Sequence, residues 1–438
     1  MSLPVLTHRR LVALVIVLAV LTAAGLVALW PPFTDDSEPL DPLTPADVLA
    51  VEVIPGEPDE VLGVSGDAVR LEVEVLEGPD AGTRLDLEVT ADGFPELRVG
   101  DRVLMDKVTD PDGQQRYFVT DLDRFPALVW LLALFVVVVL VVARWHGLRS
   151  LLGLVISLTI VVRFVVPAII AGTSPPLVAM VGAMAVMLVT LYLAHGVNEM
   201  TTSAVVGTAA ALVLTIALGS WFIEWGRVTG YASEDAVFAR FAVEGLDLQG
   251  LVLAGLIIAA LGVLDDVTIS QASTVFALHD TDRTLTWRAL VARAMRVGRD
   301  HIASVVNTLV LAYTGASIAL LLLFTTGGVP TRELLNSEML AEEIIKTVVG
   351  SLGLIAAVPL TTALAATVAI GRGADAPPLR RDHPHPPGPA PAPSEGRPTA
   401  AEDDAERDRR AQEAWERYLE RHDRERRRQR GGEDADPR

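Results

Sequence analysis

Long apolar runs, separated by short polar segments, make up most of the chain. A bilayer core is spanned by about 20 apolar residues in a helix, and the runs approach or exceed this length. The pattern therefore predicts a mainly α polytopic membrane protein with about eight transmembrane helices. These predicted spans lie near residues 11–30, 127–143, 149–171, 176–195, 202–223, 249–270, 303–324 and 344–370. The first run is longer than the apolar core of a signal peptide, which favours an uncleaved anchor.

Between the first two runs, residues 31–125 follow a different pattern. Apolar Leu71, Val73 and Val75 alternate with charged side chains, as half-buried strands do. A turn at 78–82, GPDAG, is followed by a second alternating stretch. Five or six such strands in so short a segment predict a small β-barrel-like domain of OB type.

Charge is concentrated in this β segment. The chain has 438 residues, 51% of them hydrophobic, and a formal charge of −19. Residues 31–125 hold 24 acidic and 7 basic residues, a net of −17. So acidic a surface excludes nucleic acid as a partner. The absence of cysteine excludes disulfides and thiolate metal sites.

The arginines predict the topology. Segments 1–10, 144–149 and 271–302 are rich in arginine and are placed in the cytoplasm, whereas 224–248 and 325–343 are acidic and are placed outside. Both termini are then cytoplasmic, and the β segment is outside.

Four regions follow from these patterns. They are a cytoplasmic stub with the first anchor (1–30), the acidic extracytoplasmic β domain (31–125), a seven-helix membrane core (126–372) and a cytoplasmic tail (373–438). The tail begins rich in proline and ends dense in opposite charges. Its composition predicts disorder, with a solvated helix near 402–430.

Ionisable groups inside predicted spans are the main functional candidates, because a charge in the bilayer is costly. Asp265 and Asp266 lie in the sixth span, followed by Ser270 and Gln271. A second polar stripe, at the start of the seventh span, contains Asp300, Ser304 and Asn307. An acidic helix end at the interface is the alternative interpretation for the first set. Interhelical hydrogen bonding is the alternative for the second.

We expect spans six and seven to pack together. Asp266 and Ser270 would then face the stripe of span seven around a polar cavity near the cytoplasmic side. Together these seven residues form the predicted transport or ion path.

Four further residues are weaker candidates: Arg163, His195, Glu199 and His301. His195 and Glu199 are one helical turn apart and, with Asp265, His279 or His301, could form a His/carboxylate metal site. No spaced metal motif, phosphate-binding loop or nucleophile elbow is present in the sequence. We therefore predict no metal, cofactor or catalytic residue.

Several short motifs of the membrane core resemble those of a known family. They are LGVLDDVTISQA (261–272), AHG (194–196), VGRDH (297–301), NTL (307–309), SLG (351–353) and VPLTT (358–362). With these motifs the chain resembles the YibE/F family of bacterial integral membrane proteins over about residues 125–372. The resemblance implies the architecture and a bacterial cytoplasmic membrane, and it implies no substrate.

Three functions remain as alternatives. A secondary transporter or permease is favoured by the helical core, the polar stripes and the lack of nucleotide motifs. A non-transporting scaffold or sensor would display the β domain outside. An intramembrane enzyme would use the acidic residues and His301 for acid/base or metal chemistry. The expected partner is the lipid bilayer, a homo-oligomer is left open, and no substrate is predicted.

The topology is testable with reporter fusions. Arginine marks the cytoplasmic loops. A reporter that is active only outside the cytoplasm should therefore be active when fused after Phe125. A reporter that is active only in the cytoplasm should be active when fused after Arg283. An outside result at Arg283 would contradict the count of eight spans.

Overall fold

The structure is a computed structural model. It describes residues 8–31, 42–56, 67–90, 95–109, 115–328 and 330–375. The charged tail, with its predicted helix near 402–430, lies outside the described residues.

The β segment forms one antiparallel sheet. Its strands are β1 (Thr44–Ile54), β2 (Ala68–Val75), β3 (Arg84–Thr90), β4 (Arg102–Thr109) and β5 (Gln115–Leu122). They are ordered β3-β2-β1-β4-β5, and the two edge strands approach each other, so the sheet is nearly closed. A partly open five-stranded barrel is also the architecture of OB folds. The predicted small barrel is confirmed at this level, and the OB type stays a prediction.

Alternating apolar residues of the strands form the hydrophobic core of this domain. Leu71, Val73 and Val75 are almost completely buried, as their spacing predicts. The intervening charges lie outside and pair across strands, for example Arg70 with Glu88 at 2.8 Å. The domain thus has a core of its own.

One polar contact bridges the opening of the barrel. Asp80, in the turn between β2 and β3, accepts hydrogen bonds from Lys107 of β4, at 2.6 Å, and from Tyr117 of β5. The Lys107 hydrogen bond, followed by that of Tyr117, lowers the pKa of Asp80. The same pairing raises the pKa of Lys107. Gly78 and Gly82 take φ of +90° and +83°, which glycine adopts readily, and so shape the turn that carries Asp80.

The remaining elements are helical. The longer ones are α1 (His8–Leu29), α2 (Phe125–Ile160), α4 (Pro175–His195), α5 (Glu199–Trp225), α7 (Leu248–Thr281), α8 (Trp287–Ala316) and α11 (Glu338–Asp375). The shorter ones are α3 (Val166–Ile170), α6 (Glu234–Ala242), α9 (Ile318–Thr326) and α10 (Thr331–Asn336). A π-helical turn, Val161–Val165, joins α2 to α3. Six helical segments of the described chain are long and apolar enough to cross a membrane, or seven if α8 and α9 count as one bent span.

Two predicted spans fall within one helical segment, Phe125–Ile170. Arg144 interrupts it with φ +50° and ψ −126°. A Cβ atom on Gly147 would lie 2.6 Å from the carbonyl oxygen of Val139, although eight residues of straight helix span about 12 Å. The chain therefore bends sharply at Arg144, which separates residues 125–143 from residues 145–170. The total of eight spans stays a prediction.

Helix α1 packs against the other helices. Leu11 and Val15 are buried in the helical core, and the ring of Trp30 stacks on Phe164 at 5.7 Å. A Cβ atom on Gly25 would touch Val181 of α4 at 3.0 Å. These contacts give α1 a structural role in the bundle, and the uncleaved anchor stays a prediction.

The centre of the bundle consists of α5, α7 and α11 in close contact. A Cβ atom on Gly207 of α5 would lie 2.2 Å from Oγ1 of Thr361 in α11. The reverse contact holds at Gly353 of α11, where a Cβ atom would lie 2.0 Å from Oγ1 of Thr215. Small residues thus let these backbones approach, as in packed membrane helices generally.

The predicted seventh span, 303–324, differs from the observed helices. Helix α8 already begins at Trp287, and Ser317 separates it from α9 at a bend of 61°. Gly315 and Ser317 are weak helix formers. A prediction based on the apolar content of the run does not register the break that they allow.

The Asp80 contact should make the β domain sensitive to acid. A paired carboxylate with a lowered pKa contributes stability above its unfolded pKa of about 3.9, and this is lost as the pH falls through the folded value. Lys107, with a raised pKa, loses its contribution only as the pH rises past about 10.4. In a fragment of residues 42–124, Asp80→Asn should therefore lower the thermal midpoint at about pH 7 and flatten its fall below about pH 4. Circular dichroism measures both.

Asp106→Asn is the matched control, because Asp106 is an exposed neighbour on β4. Equal acid profiles for the Asp80 and Asp106 variants would show that the contact does not hold the barrel closed.

Candidate functional site

A cavity of about 610 Å³ lies among the second half of α2 with its π-helical turn, α4 and α7. Most of its lining is apolar. The polar or ionisable lining residues are Arg149, Ser150, Ser157, Thr190, His195, Asp265, Asp266 and Ser270. Three of the predicted path residues, Asp265, Asp266 and Ser270, therefore share one cavity.

Contacts between the helices around the cavity show in which direction each helix runs relative to α4. Gly250 of α7 lies beside Pro176 at the start of α4, and Asp265 lies beside Thr190 further along, so the two helices run parallel. On the facing wall, Gly153 contacts Thr190 and Val165 contacts Gly182, so this part runs antiparallel to α4. The cavity thus extends along α4 from His195 to Gly182, about 20 Å at 1.5 Å per residue.

Asp265 is the ionisable group in the middle of this cavity. The hydroxyl of Thr190 lies 3.4 Å from its Oδ2, but the same hydroxyl is closer, at 2.8 Å, to the carbonyl oxygen of Val186. Its Oδ1 is buried without a hydrogen-bond partner among the described residues. No ion pair to Asp265 occurs in the described part of the chain. A partly buried carboxylate with so little compensation is costly unless something else binds it.

The other face of α7 holds the helix in place. Thr268 shares a 2.6 Å hydrogen bond with Thr208 of α5, and both residues are fully buried. Gln271 is buried too, and it donates to Oγ1 of Thr362 in α11 at 2.7 Å and to the carbonyl oxygen of Ala294 in α8 at 3.2 Å. Gln271, predicted as part of the path, is therefore placed as a bridge between three helices and away from the cavity.

The cavity also differs from the expected one. Its lining includes no residue of α8. Asp300, Ser304 and Asn307 are exposed on that helix, and α8 meets α7 instead where Gly298 packs on Gln271. The expectation that the two polar stripes face each other across one cavity is wrong for this cavity. The spacing of the residues predicted that each stripe lies on one face of its helix. It could not predict which other helix packs against that face.

The weaker candidates are dispersed. His195 is exposed and lines the end of the cavity. Arg163 is exposed on the π-helical turn, outside the lining. Glu199 begins α5 and is half-buried, and His301 on α8 has a buried Nε2 without a hydrogen-bond partner among the described residues. Nowhere in the described chain do three or more His, Asp or Glu side chains form a group that could hold a metal ion.

The sequence analysis did not identify Thr190 or the α2 side of the cavity. Thr190 and the wall 149–165 of α2 contact or face the carboxylate, but they lie in ordinary apolar spans. Small residues at 150, 153 and 157 on that wall, at helical spacing, were a detectable signal of close approach. Nothing in the spacing indicated that this wall would face α7.

Gln271 provides a test of the division between the two faces. Gln271→Leu keeps the volume but removes both hydrogen bonds, so it should reduce the free energy of unfolding by about 1–3 kcal/mol. Ser270→Ala changes the preceding residue, which is exposed, and should leave the free energy of unfolding near that of the unaltered protein. Thermal unfolding of the purified protein in detergent measures both. Equal midpoints for the two variants would contradict the bridging role.

The membrane core agrees with one known family. A family model described as YibE/F-like protein matches residues 131–371, which include α4, α5, α7, α8 and every residue that lines the cavity. No curated protein and no solved structure matches the chain. Because the family model covers more than half of the 438 residues, the chain belongs to the YibE/F family.

Proposed function

We propose that this membrane protein is a secondary transporter or permease whose path runs through the cavity among α2, α4 and α7. The observation that carries the proposal is Asp265, a carboxylate in an apolar cavity without an ion-pair partner among the described residues. Intramembrane carboxylates that face a cavity mark ion or proton pathways in many transporters. Asp265 would bind a proton or another cation during each cycle.

The access route follows from the direction of the cavity. Arg149 and His195 lie at one end, and the predicted topology places this end at the cytoplasmic side of a bacterial cytoplasmic membrane. Asp265 is level with Thr190, about five residues of helix, or about 8 Å, from His195. A solute entering from the cytoplasm would thus reach the carboxylate before the apolar inner end.

One wall of the cavity has features of a moving element. Residues 145–165 are bounded by the non-helical Arg144 at one end and by the π-helical turn Val161–Val165 at the other. π-Helical turns are frequent at functional sites. Alternating access requires one element to move against a fixed site. We assign this movement to the α2 wall, because the opposite side of α7 is bound to α5 and α11.

A scaffold or sensor is the second candidate. It is favoured by the acidic β domain, whose hydrophobic core is separate from that of the helices. Such a protein would bind a partner outside and would need no path through the membrane.

Proton flux distinguishes the two candidates. The purified full-length chain is placed in liposomes that contain a pH-sensitive dye, and a potassium diffusion potential drives protons inward. The unaltered protein should acidify the lumen, and Asp265→Asn, which keeps the shape but loses the charge, should reduce the rate to that of empty liposomes. Asp300→Asn is the matched control, because Asp300 was also a candidate by sequence, in the second polar stripe, but lies outside the cavity.

Two results would contradict this proposal. One is full flux in Asp265→Asn. The other is a rate for the unaltered protein equal to that of empty liposomes, after which the scaffold would be the leading candidate.

A further inference from the structure

We propose that the cavity binds an amphipathic organic monocation, with its charged group at Asp265 and its apolar body against the inner walls. This substrate class rests on the proposed function, because it uses the same cavity. Three features of the site lead to it: the charge, the small number of oxygen ligands, and the size and apolar character of the walls.

The charge of the site calls for one cation. Asp265 lacks an ion-pair partner in the described chain, and a bound positive charge would offset the cost of burying its carboxylate. Asp266 also lines the cavity, but it is exposed and points about 100° away around the helix. An anion at this level would face two carboxylates and no described cation within ion-pair distance.

The oxygen ligands are too few for a bare metal ion. Calcium takes six to eight oxygen ligands and magnesium about six. Close to Asp265 the structure offers the hydroxyls of Thr190 and Thr208, still fewer oxygens than either metal needs, and no metal-holding group of three acidic or His side chains occurs in the described residues. An organic ammonium needs less, because one carboxylate can hold its charge while apolar walls contact its substituents.

The size and walls of the cavity fit an organic body. A volume of about 610 Å³ falls within the range of about 300–1,000 Å³ found for small-molecule sites. The inner end, beyond Asp265, is lined by Val161, Val165 and Ile258. A proton or a hydrated ion would leave this apolar space unused.

The cavity mouth adds a preference for orientation. Arg149 and His195 lie at the mouth, about 8 Å from the level of Asp265. A cationic group is disfavoured beside the Arg149 guanidinium and favoured at the carboxylate deeper inside. The bound charge should therefore sit at the level of Thr190.

Two ions of almost equal shape and opposite charge test the inference. Tetraphenylphosphonium and tetraphenylborate are titrated against the full-length protein in nanodiscs, with empty nanodiscs as the baseline for partition into lipid. We expect saturable binding of the phosphonium and none of the borate. Asp265→Asn should weaken phosphonium binding at least about tenfold, since the charge pairing is lost. Asp300→Asn should bind like the unaltered protein.

A second variant keeps the test valid if Asp265→Asn does not fold. Val186→Phe fills part of the cavity and leaves the carboxylate intact, and it should weaken phosphonium binding through loss of space. Equal binding of the two ions, unchanged binding in both cavity variants, or no saturable phosphonium binding by the unaltered protein would overturn the inference.

The two proposals can fail separately. If Asp265→Asn abolishes proton flux while no phosphonium binds, transport through the cavity stands and the organic substrate class is wrong. If phosphonium binds at Asp265 but no flux occurs, the site stands as a binding site and the transport proposal fails.

Discussion

Close contact among α5, α7 and α11 is the constraint on which the rest of the membrane core depends. Apolar side chains gain little by meeting each other in lipid, so membrane helices associate through close packing and hydrogen bonds. Here glycines on α5 and α11 each face a threonine of the other helix. The Thr208–Thr268 hydrogen bond and the bridge from Gln271 to Thr362 then connect α7 to both. Together these contacts fix the rotation of α7 about its axis.

That rotation divides the polar residues of α7 into two sets with different roles. Thr268 and Gln271 are buried among neighbouring helices and satisfied by them. Asp265, Asp266 and Ser270 line the cavity, and Asp265 lies at the border of the two sets, because Thr208 of α5 also hydrogen-bonds its carboxylate. If α7 turned by half a revolution, the carboxylates would enter the tightest part of the bundle. The packing of α7 against α5 and α11 therefore places the carboxylates in the cavity. The α2 wall then encloses the cavity from the other side.

The sequence predicted the elements better than their arrangement. Period-two alternation at Leu71, Val73 and Val75 specifies which side chains of β2 are buried, and the apolar runs specify where helices lie. Asp265 was identifiable because a carboxylate in such a run is rare. Which helices surround it depends on contacts between residues far apart in the chain, such as Gly153 with Thr190. For that reason the sequence could not show that the polar stripe of α8 lies outside this cavity, or that Gln271 hydrogen-bonds to α8 and α11.

We infer that Asp265, which has no ion-pair partner among the described residues, lies in an apolar cavity that solutes can enter. Modification of the full-length protein in membranes with a hydrophobic carbodiimide, followed by peptide mass spectrometry, tests it most directly, because the reagent selects carboxyl groups in apolar surroundings. We expect modification at Asp265, slowed by tetraphenylphosphonium, with Asp300 modified more slowly. An unmodified Asp265, or equal rates at Asp265 and Asp300, would contradict it.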